Sequence, residues 1–378
     1  MSNTTSRSHD LPLQVACLGL GAKGSYIAQK VIASGVSTVV HDLLDERARH
    51  FSGKNVRVAT SFAEALVGST VIITAFANTE EYEHAFMETD GILKCAEKGA
   101  FVIDVTPTTP SLASEVQALG VLNELHILDG WMASAVTTIP GHEPSIFLGG
   151  DVSDLKIADA LIQSFRLPVI SCQEPGSGKA MGIASLVMHV SSILGVVEAL
   201  SFAENHGIAQ IDATRYLNAL GLHSELFSSY AEKIIHDSYE GEYSVMRLLS
   251  ELEVCFEAAD NKDLTFPGLE NAYQLYNLLS IIGGADKDIA GLQLVYGDEA
   301  TCARHGLDWS RAAHLSEEGQ GHSHDESCEC GASDHHSFDS FEELDDEDDD
   351  YDDREGTVDY DDVLADGFDH FNLKDDRS

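Results

Sequence analysis

The sequence has little positive charge. Lys and Arg together number 22 in 378 residues against 64 Asp and Glu, which gives a formal net charge of −42. A surface that binds nucleic acid needs clustered basic residues to displace counterions from the phosphates. Anionic membrane surfaces attract the same residue types. The shortage of basic residues therefore argues against nucleic acid and against membranes as partners.

Cysteines are also few, and the start of the chain has no long apolar run. The seven cysteines are odd in number and scattered, which predicts reduced thiols, and "MSNTTSRSHDLPLQ" has no apolar core of the signal-peptide type. Both features favour a cytoplasmic location. The longest apolar stretch, residues 181–197, contains His189 and is followed by Glu198, so we interpret it as a buried helix between domains and not as a membrane span.

Acidic residues are concentrated at the end of the chain. Residues 316–378 contain 25 Asp and Glu but only 3 Lys and Arg, in a low-complexity segment that we predict to be disordered. Its imidazoles and thiols are candidate ligands for a transition metal. The alternative is a tail for solubility or interaction. The candidate ligands are His322, His324, Cys328, Cys330, His335 and His336.

Strand and helix patterns alternate up to about residue 175 and are mostly helical afterwards. This alternation, with residues 79–96 as one helical stretch, predicts a parallel sheet covered by helices on both faces. The sequence therefore predicts an α/β Rossmann domain followed by an all-α domain and a disordered acidic tail. The predicted segments are a flexible N-terminus (1–12), the dinucleotide-binding domain (13–175), a helical substrate and dimerisation domain (176–315) and the tail (316–378).

The first strand runs into a glycine motif that is typical of dinucleotide binding. In "GLGAKG", Gly19 allows a tight turn, Gly21 lets the backbone approach a pyrophosphate, and Gly24 lets helix and strand pack closely. Asp42 ends the second strand, where a carboxylate accepts hydrogen bonds from ribose hydroxyls, and this favours NAD over NADP. Arg47 or Arg49 could reverse that preference. Ala22 and Lys23 lie within the motif and are counted with it as cofactor-binding residues.

Several stretches resemble the β-hydroxyacid dehydrogenase superfamily, which includes 6-phosphogluconate dehydrogenase-like proteins and imine reductases. They include "CLGLGAKGSYIAQKVIASGVSTVVHDL", "GAFVIDVTPTTP" and "EPGSGKAMGIASLVMHVSSILGVVEALSFAENHGI". The resemblance implies a homodimer, a cleft between the two domains, and hydride transfer between NAD(P) and a small hydroxy acid, aldehyde or imine. It also implies that Ala75, Phe76, Asn78 and Thr106 lie along the cofactor.

The substrate loop and the catalytic lysine depart from this family. The loop that holds the substrate carboxylate corresponds here to residues 129–135, in which Trp131, Met132 and Ser134 are candidate pocket residues; the first two are equally consistent with core positions. The family's lysine falls at Gly182 and its asparagine at Ser185. A later lysine–aspartate pair falls at Ser250 and Glu251, so a second supporting charge is also missing.

Three residues are candidate replacements for the lysine. Lys179 lies one helical turn before Gly182, His189 lies seven residues after it, and Ser185 could donate a hydrogen bond. The alternatives are a solvated lysine at the helix start and a core histidine. We therefore predict an NAD(P)-dependent oxidoreductase acting on a C=O/CH–OH or C=N bond. An imine reductase-like enzyme and an inactive dinucleotide-binding regulator with a metal-binding tail are the alternatives.

Overall fold

Eight strands in the first half of the chain form one sheet. The computed structural model describes residues 13–133, 142–222, 224–241 and 243–312. The sheet order is β3-β2-β1-β4-β5-β6-β7-β8. Neighbouring strands are parallel, as predicted, except for the antiparallel pair β6 and β7. The strands are β1 (Gln14–Leu18), β2 (Ser37–His41), β3 (Val56–Val58), β4 (Val71–Thr74), β5 (Phe101–Asp104), β6 (His126–Ala133), β7 (Ser145–Gly149) and β8 (Val169–Ser171).

The antiparallel pair differs from the predicted parallel sheet for a simple reason. A parallel crossover needs about a dozen residues or more, usually with a helix. The connection from β6 to β7, residues 134–144, is shorter than that. The chain therefore turns back at this point, and the sheet stays parallel on both sides of the turn.

Seven helices accompany the sheet, and two apolar clusters pack around its strands. Successive residues of β1 alternate between the clusters, with Cys17 in one and Leu18 in the other. The stretch 79–96 predicted as one helix is two, because Glu88 adopts an extended backbone conformation and Gly91 begins the next helix. The helices are α1 (Ala22–Ala33), α2 (Asp45–Arg49), α3 (Phe62–Leu66), α4 (Thr79–Met87), α5 (Ile92–Cys95), α6 (Pro110–Leu122) and α7 (Val152–Ser164).

The second half of the described chain is helical and contains the longest helix. Helix α8 contacts β6, β7 and several later helices. By length and composition it could cross a membrane, and 44% of its most apolar window is buried inside the protein. The helices are α8 (Ser177–Asn205), α9 (Gln210–Ala219), α10 (Glu225–Ile235), α11 (Val245–Asp260), α12 (Pro267–Leu279) and α13 (Glu299–Arg304), with π and 3₁₀ segments at Ser280–Gly284, Ile289–Tyr296 and Trp309–Ala312.

A buried carboxylate fixes the start of α8 to strand β6. The Asp129 side chain accepts hydrogen bonds from the backbone N–H groups of Gly176 at 2.8 Å and Lys179 at 2.9 Å. It therefore occupies the helix N-terminus, where unpaired N–H groups favour negative charge. Gly176 has φ +81°, and a Cβ there would lie 2.7 Å from the Pro110 carbonyl oxygen, so this entry to α8 requires glycine.

The described residues form one compact unit. Strands end at Ser171 and the helical region begins at Ser177, while the domain boundary near residue 175 stays a prediction. Residues 1–12 and the whole predicted tail, with its six candidate metal ligands, lie outside the described residues.

Candidate active site

The glycine turn between β1 and α1 has the form that a dinucleotide requires. Gly19 has φ +82°, and a Cβ there would lie 2.6 Å from the Ala75 carbonyl oxygen. A Cβ at Gly24 would lie 1.8 Å from the Gly19 carbonyl oxygen, whereas a Cβ at Gly21 would meet nothing within 4 Å. The first and third glycines are thus fixed by packing, and the second faces open space beside the N-terminus of α1, where a pyrophosphate fits.

Asp42 lies beside this turn, as the motif predicts. One oxygen of its buried carboxylate accepts a hydrogen bond from the Leu20 N–H at 2.5 Å, and the other accepts one from the Leu44 N–H at 2.8 Å. The Arg47 guanidinium lies 3.6 Å from the same carboxylate. These contacts fix the position of a negative charge next to the glycine turn, with one exposed cation close by.

A cleft of about 650 Å³ joins the glycine turn to helix α11. This volume is in the range of small-molecule sites, and the cleft lies at the carboxyl ends of β1, β2 and β4, where sheets of this topology bind ligands. On the sheet side it is lined by Gly19, Gly21, Ala22, Lys23, Asp42, Arg47, Ala75, Phe76, Asn78 and neighbouring residues. On the α11 side it is lined by Met246, Arg247, Ser250, Glu251, Glu253, Val254 and Glu257.

Two residues predicted along the cofactor have structural roles as well. Asn78 caps α4, because its side chain accepts a hydrogen bond from the Glu81 N–H at 2.8 Å. Thr106 is fully buried, and its hydroxyl oxygen accepts a hydrogen bond from the Phe76 N–H at 3.0 Å. Asn78 therefore lines the cleft itself, whereas Thr106 supports the segment that lines it.

Lys23 and Glu251 form a buried ion pair within the cleft lining. The Lys23 ammonium lies 2.7 Å from a Glu251 carboxylate oxygen and 5.2 Å from the centroid of the Trp131 ring. The side chains are 9% and 5% exposed. Burial lowers the pKa of Lys23 to about 8, with Glu251 opposing the shift and the cation Arg247 adding to it.

Glu251 is the centre of a small polar cluster on α11. Its carboxylate accepts a hydrogen bond from the Tyr243 hydroxyl at 2.7 Å and one from Arg247 Nε at 3.4 Å. Burial alone would raise the pKa of Glu251, but Lys23, Arg247 and the hydroxyl together hold it below its usual range. The carboxylate is therefore ionised at neutral pH. Sequence reasoning treated this position only as a lost charge, because its pairing with the lysine of the glycine turn exists only in the folded chain.

The space beside Gly182 is filled by Trp131. A Cβ at residue 182 would lie 2.0 Å from Cγ of the indole and 2.3 Å from its Cβ. No larger side chain fits there while Trp131 keeps its position. A lysine at 182, where the resemblance would put one, would therefore require Trp131 to move.

Lys179 is a buried structural residue. Its side chain is 0% exposed, and the ammonium lies 2.6 Å from an Asp104 carboxylate oxygen. It also donates to the carbonyl oxygens of Thr106 and Gly130, at 2.5 and 2.8 Å. The alternative of a solvated lysine at the helix start is wrong, because the side chain is fully buried and all these acceptors lie on β5, on β6 or in the segment that follows β5. Lys179 is not among the described residues that line the cleft.

The side chains of His189 and Ser185 also form hydrogen bonds within the protein. His189 forms a hydrogen bond with Tyr230 in the helical core, and burial lowers the pKa of the imidazole to about 4. The Ser185 hydroxyl donates back to the Gly182 carbonyl oxygen at 2.7 Å. The core alternative for His189 therefore fits the structure, and neither residue lines the described cleft.

The candidate pocket residues on β6 point in different directions. Trp131 packs in the helical core and Met132 in a core cluster of the sheet, as expected for successive residues of a strand. Ser134 lies outside the described residues.

Within the described part of the chain, no group of three or more His, Cys, Asp or Glu side chains could hold a metal ion. The five cysteines described, Cys17, Cys95, Cys172, Cys255 and Cys302, are free thiols, as predicted.

The glycine turn, Asp42 and the cleft define a dinucleotide-binding protein, and comparison with known proteins agrees. Residues 14–166 match the family described as the NAD binding domain of 6-phosphogluconate dehydrogenase. An uncharacterized oxidoreductase of Synechocystis sp. is 26% identical over 276 residues, covering 72% of this chain and 94% of that protein. Mitochondrial 3-hydroxyisobutyrate dehydrogenase of Mus musculus is 22% identical over 298 residues, covering 76% and 88%.

Solved structures show the same fold. The 3-hydroxyisobutyrate dehydrogenase of Mycobacterium tuberculosis, determined with L-serine, has a TM-score of 0.68 at 20% identity and covers 76% of this chain and 99% of that chain. An imine reductase variant of Myxococcus stipitatus with NAD+ has a TM-score of 0.51 at 15% identity, covering 76% of this chain and 99% of that chain. The predicted resemblance is therefore confirmed, with an NAD(P)-binding domain and relatives that are oxidoreductases.

Proposed function

We propose that this protein is an NAD(P)-dependent oxidoreductase that acts on a C=O/CH–OH or C=N bond of a small metabolite. The observation that carries the proposal is the cleft in which the glycine turn and Asp42 face the charged side of α11. A bound nicotinamide cofactor supplies the hydride. The chain's own residues hold the cofactor: the start of α1 binds the pyrophosphate, Asp42 accepts hydrogen bonds from the ribose, and α11 forms the opposite wall of the cleft.

We further propose that NAD is preferred over NADP. Asp42 is a buried carboxylate that is already held by two backbone N–H groups, so it cannot turn away from a 2′-phosphate. Two negative charges in that position repel each other. Arg47 lies 3.6 Å from the carboxylate and is half exposed, so it offsets part of the repulsion. We therefore expect a preference and not an absolute discrimination.

A cofactor titration followed by a substrate panel tests this function. NADH and NADPH are titrated into the full-length protein, and the panel contains 3-hydroxy acids, their aldehydes and cyclic imines. We expect saturable binding of both cofactors, tighter for NADH, and turnover on at least one substrate class. Failure to bind either cofactor would contradict the proposal. Tight binding without turnover would favour the second candidate, an inactive dinucleotide-binding regulator, for which the Trp131 side chain beside Gly182 is the motivating observation.

We also propose that the protein is a homodimer through helix α8. Its exposed side carries three large apolar side chains at spacings of seven and fourteen residues, those of Met181, Met188 and Phe202. Met188 and Phe202 are more than two-thirds exposed. A row of exposed large apolar side chains at this spacing is typical of a helix that packs against another helix. Sedimentation velocity should show a dimer that Met188→Glu dissociates, while Met246→Glu, on α11, leaves the dimer intact.

A further inference from the structure

Lys23 occupies an unusual position for a lysine. It lies in the first turn of α1, inside the glycine motif, and its side chain is nine-tenths buried in the lining of the cleft. Its ammonium contacts one carboxylate and one indole, those of Glu251 and Trp131. These two partners come from α11 and β6, so three separate elements of the fold converge on this one amine.

We propose that Lys23 is the proton-transfer residue of this cleft and that Glu251 is its positioning residue. The proposal rests on the oxidoreductase function proposed above. Trp131 connects it to the missing family lysine: the indole that fills the space beside Gly182 is the ring over which the Lys23 ammonium lies. A lysine amine therefore lies on the same indole that fills the space beside Gly182, but it comes from α1 instead of α8.

The hydride comes from the cofactor, and the proton comes from the chain and is replaced from water. In the reducing direction, the carbon of the substrate's C=O or C=N bond gains a hydride, and the oxygen or nitrogen gains a proton from the Lys23 ammonium. The amine is left neutral beside the Glu251 carboxylate and is reprotonated from water. In the oxidising direction the neutral amine accepts the proton from the hydroxyl or amine group of the substrate.

The surroundings of Lys23 allow both of its protonation states near neutral pH. Burial has the largest effect and disfavours the charged form, Glu251 favours it, and the nearby cations Arg247 and Lys179 disfavour it, leaving a pKa of about 8. An ordinary lysine, with a pKa of 10.5, would be almost fully charged at pH 8. Lys179 is the useful contrast, because its ammonium donates to the Asp104 carboxylate and to the carbonyl oxygens of Thr106 and Gly130, and it is not among the described residues that line the cleft.

Trp131 offers a direct readout of Lys23 that does not depend on turnover. The protein has two tryptophans, so Trp309→Phe leaves Trp131 as the only indole. We expect the fluorescence of this cofactor-free variant to titrate between pH 6 and 10 with a midpoint near 8. Lys23→Met should abolish that transition. Lys30→Met, which removes the same charge from the last turn of the same helix, should leave it in place.

Kinetics then separate this proposal from the function on which it rests. In the reducing direction, kcat/KM should fall above the fluorescence midpoint, and Lys23→Met should lower kcat by about 10²- to 10⁴-fold while the Kd for NADH changes by only a few fold. Glu251→Gln should shift the fluorescence midpoint to lower pH, and the pH above which kcat/KM falls should shift with it. Normal turnover of Lys23→Met would overturn the role of Lys23 alone. So would a decline of kcat/KM with pH that does not follow the fluorescence midpoint. Wild-type protein that binds NADH but turns over no substrate would overturn both proposals.

Discussion

The close contact between Gly182 and Trp131 predicts that alanine at 182 destabilises the protein. Alanine in a helix interior is normally favoured over glycine by about 1 kcal/mol. Here the new Cβ would lie 2.0 Å from the indole Cγ, whereas carbon atoms normally approach to about 3.5 Å. The indole must therefore shift by more than an ångström inside a packed core, which costs about 1 to 3 kcal/mol. We expect Gly182→Ala to lower the free energy of unfolding by up to about 2 kcal/mol.

A double-mutant cycle with Trp131→Gly isolates this contact, because alanine at 131 would keep a Cβ that lies 2.3 Å from a Cβ at 182. Trp131→Gly alone should cost at least about 3 to 5 kcal/mol, because it opens a cavity in the helical core. On that background the clash is gone, so Gly182→Ala should stabilise the protein by its helix preference of about 1 kcal/mol. The effect of one substitution therefore changes sign with the identity of residue 131. Gly268→Ala is the matched control, because a Cβ there meets nothing within 4 Å.

Urea unfolding of the full-length variants, followed by circular dichroism, measures these differences without relying on the tryptophan signal. The control should be stabilised slightly in both backgrounds. If Gly182→Ala stabilised the protein with Trp131 present, the indole would not occupy the space beside residue 182, and the account of the missing lysine would fail.

Two further predictions concern the cofactor and the histidine. Asp42→Ala should weaken NADH binding by about tenfold, which corresponds to the loss of about 1.4 kcal/mol of charge-assisted hydrogen bonding. It should weaken NADPH binding less. Equal losses of affinity for the two cofactors in titrations would contradict the ribose contact. His189 has a folded-state pKa of about 4 against an ordinary 6.5, so the unfolded chain binds the proton first and stability falls as pH drops from 6.5 through 4, by up to about 3 kcal/mol. His189→Gln should reduce this fall in the free energy of unfolding, measured by urea unfolding from pH 7 to 4. If the fall were unchanged, groups other than His189 would cause it.

Local patterns were sufficient to predict the fold of the first half of the chain. The strand, glycine turn and helix of residues 14–33 follow from one short motif, because the spacing of its three glycines specifies the turn. The reversal between β6 and β7 depends on the length of a connection, and the break between α4 and α5 depends on the backbone at Glu88. These two features were missed because apolar periodicity carries no information about strand direction or about a short interruption in a helix.

From residue spacing alone, the site was predicted only where its residues are close in sequence, whereas Ala75, Phe76 and Asn78 came from the family resemblance. Gly19, Gly21 and Asp42 lie within one βαβ unit and were found by spacing alone. The pair of Lys23 and Glu251 joins α1 to α11, and the contact of Lys179 with Asp104 joins α8 to β5. Attractions between such distant segments exist only after the chain has folded, so residue spacing cannot reveal them.

The two buried lysines show why side-chain surroundings decide function where sequence position does not. Lys179 is nearer in sequence to the vacated position 182, but its ammonium is held by the Asp104 carboxylate and by backbone carbonyl oxygens that cannot move. Lys23 is far away in sequence, yet its ammonium has one carboxylate partner and a ring, and the residue is among those that line the cleft. A residue that transfers protons must be stable in both charge states. Burial beside the Glu251 carboxylate gives Lys23 that property, because it leaves the pKa of the amine at about 8.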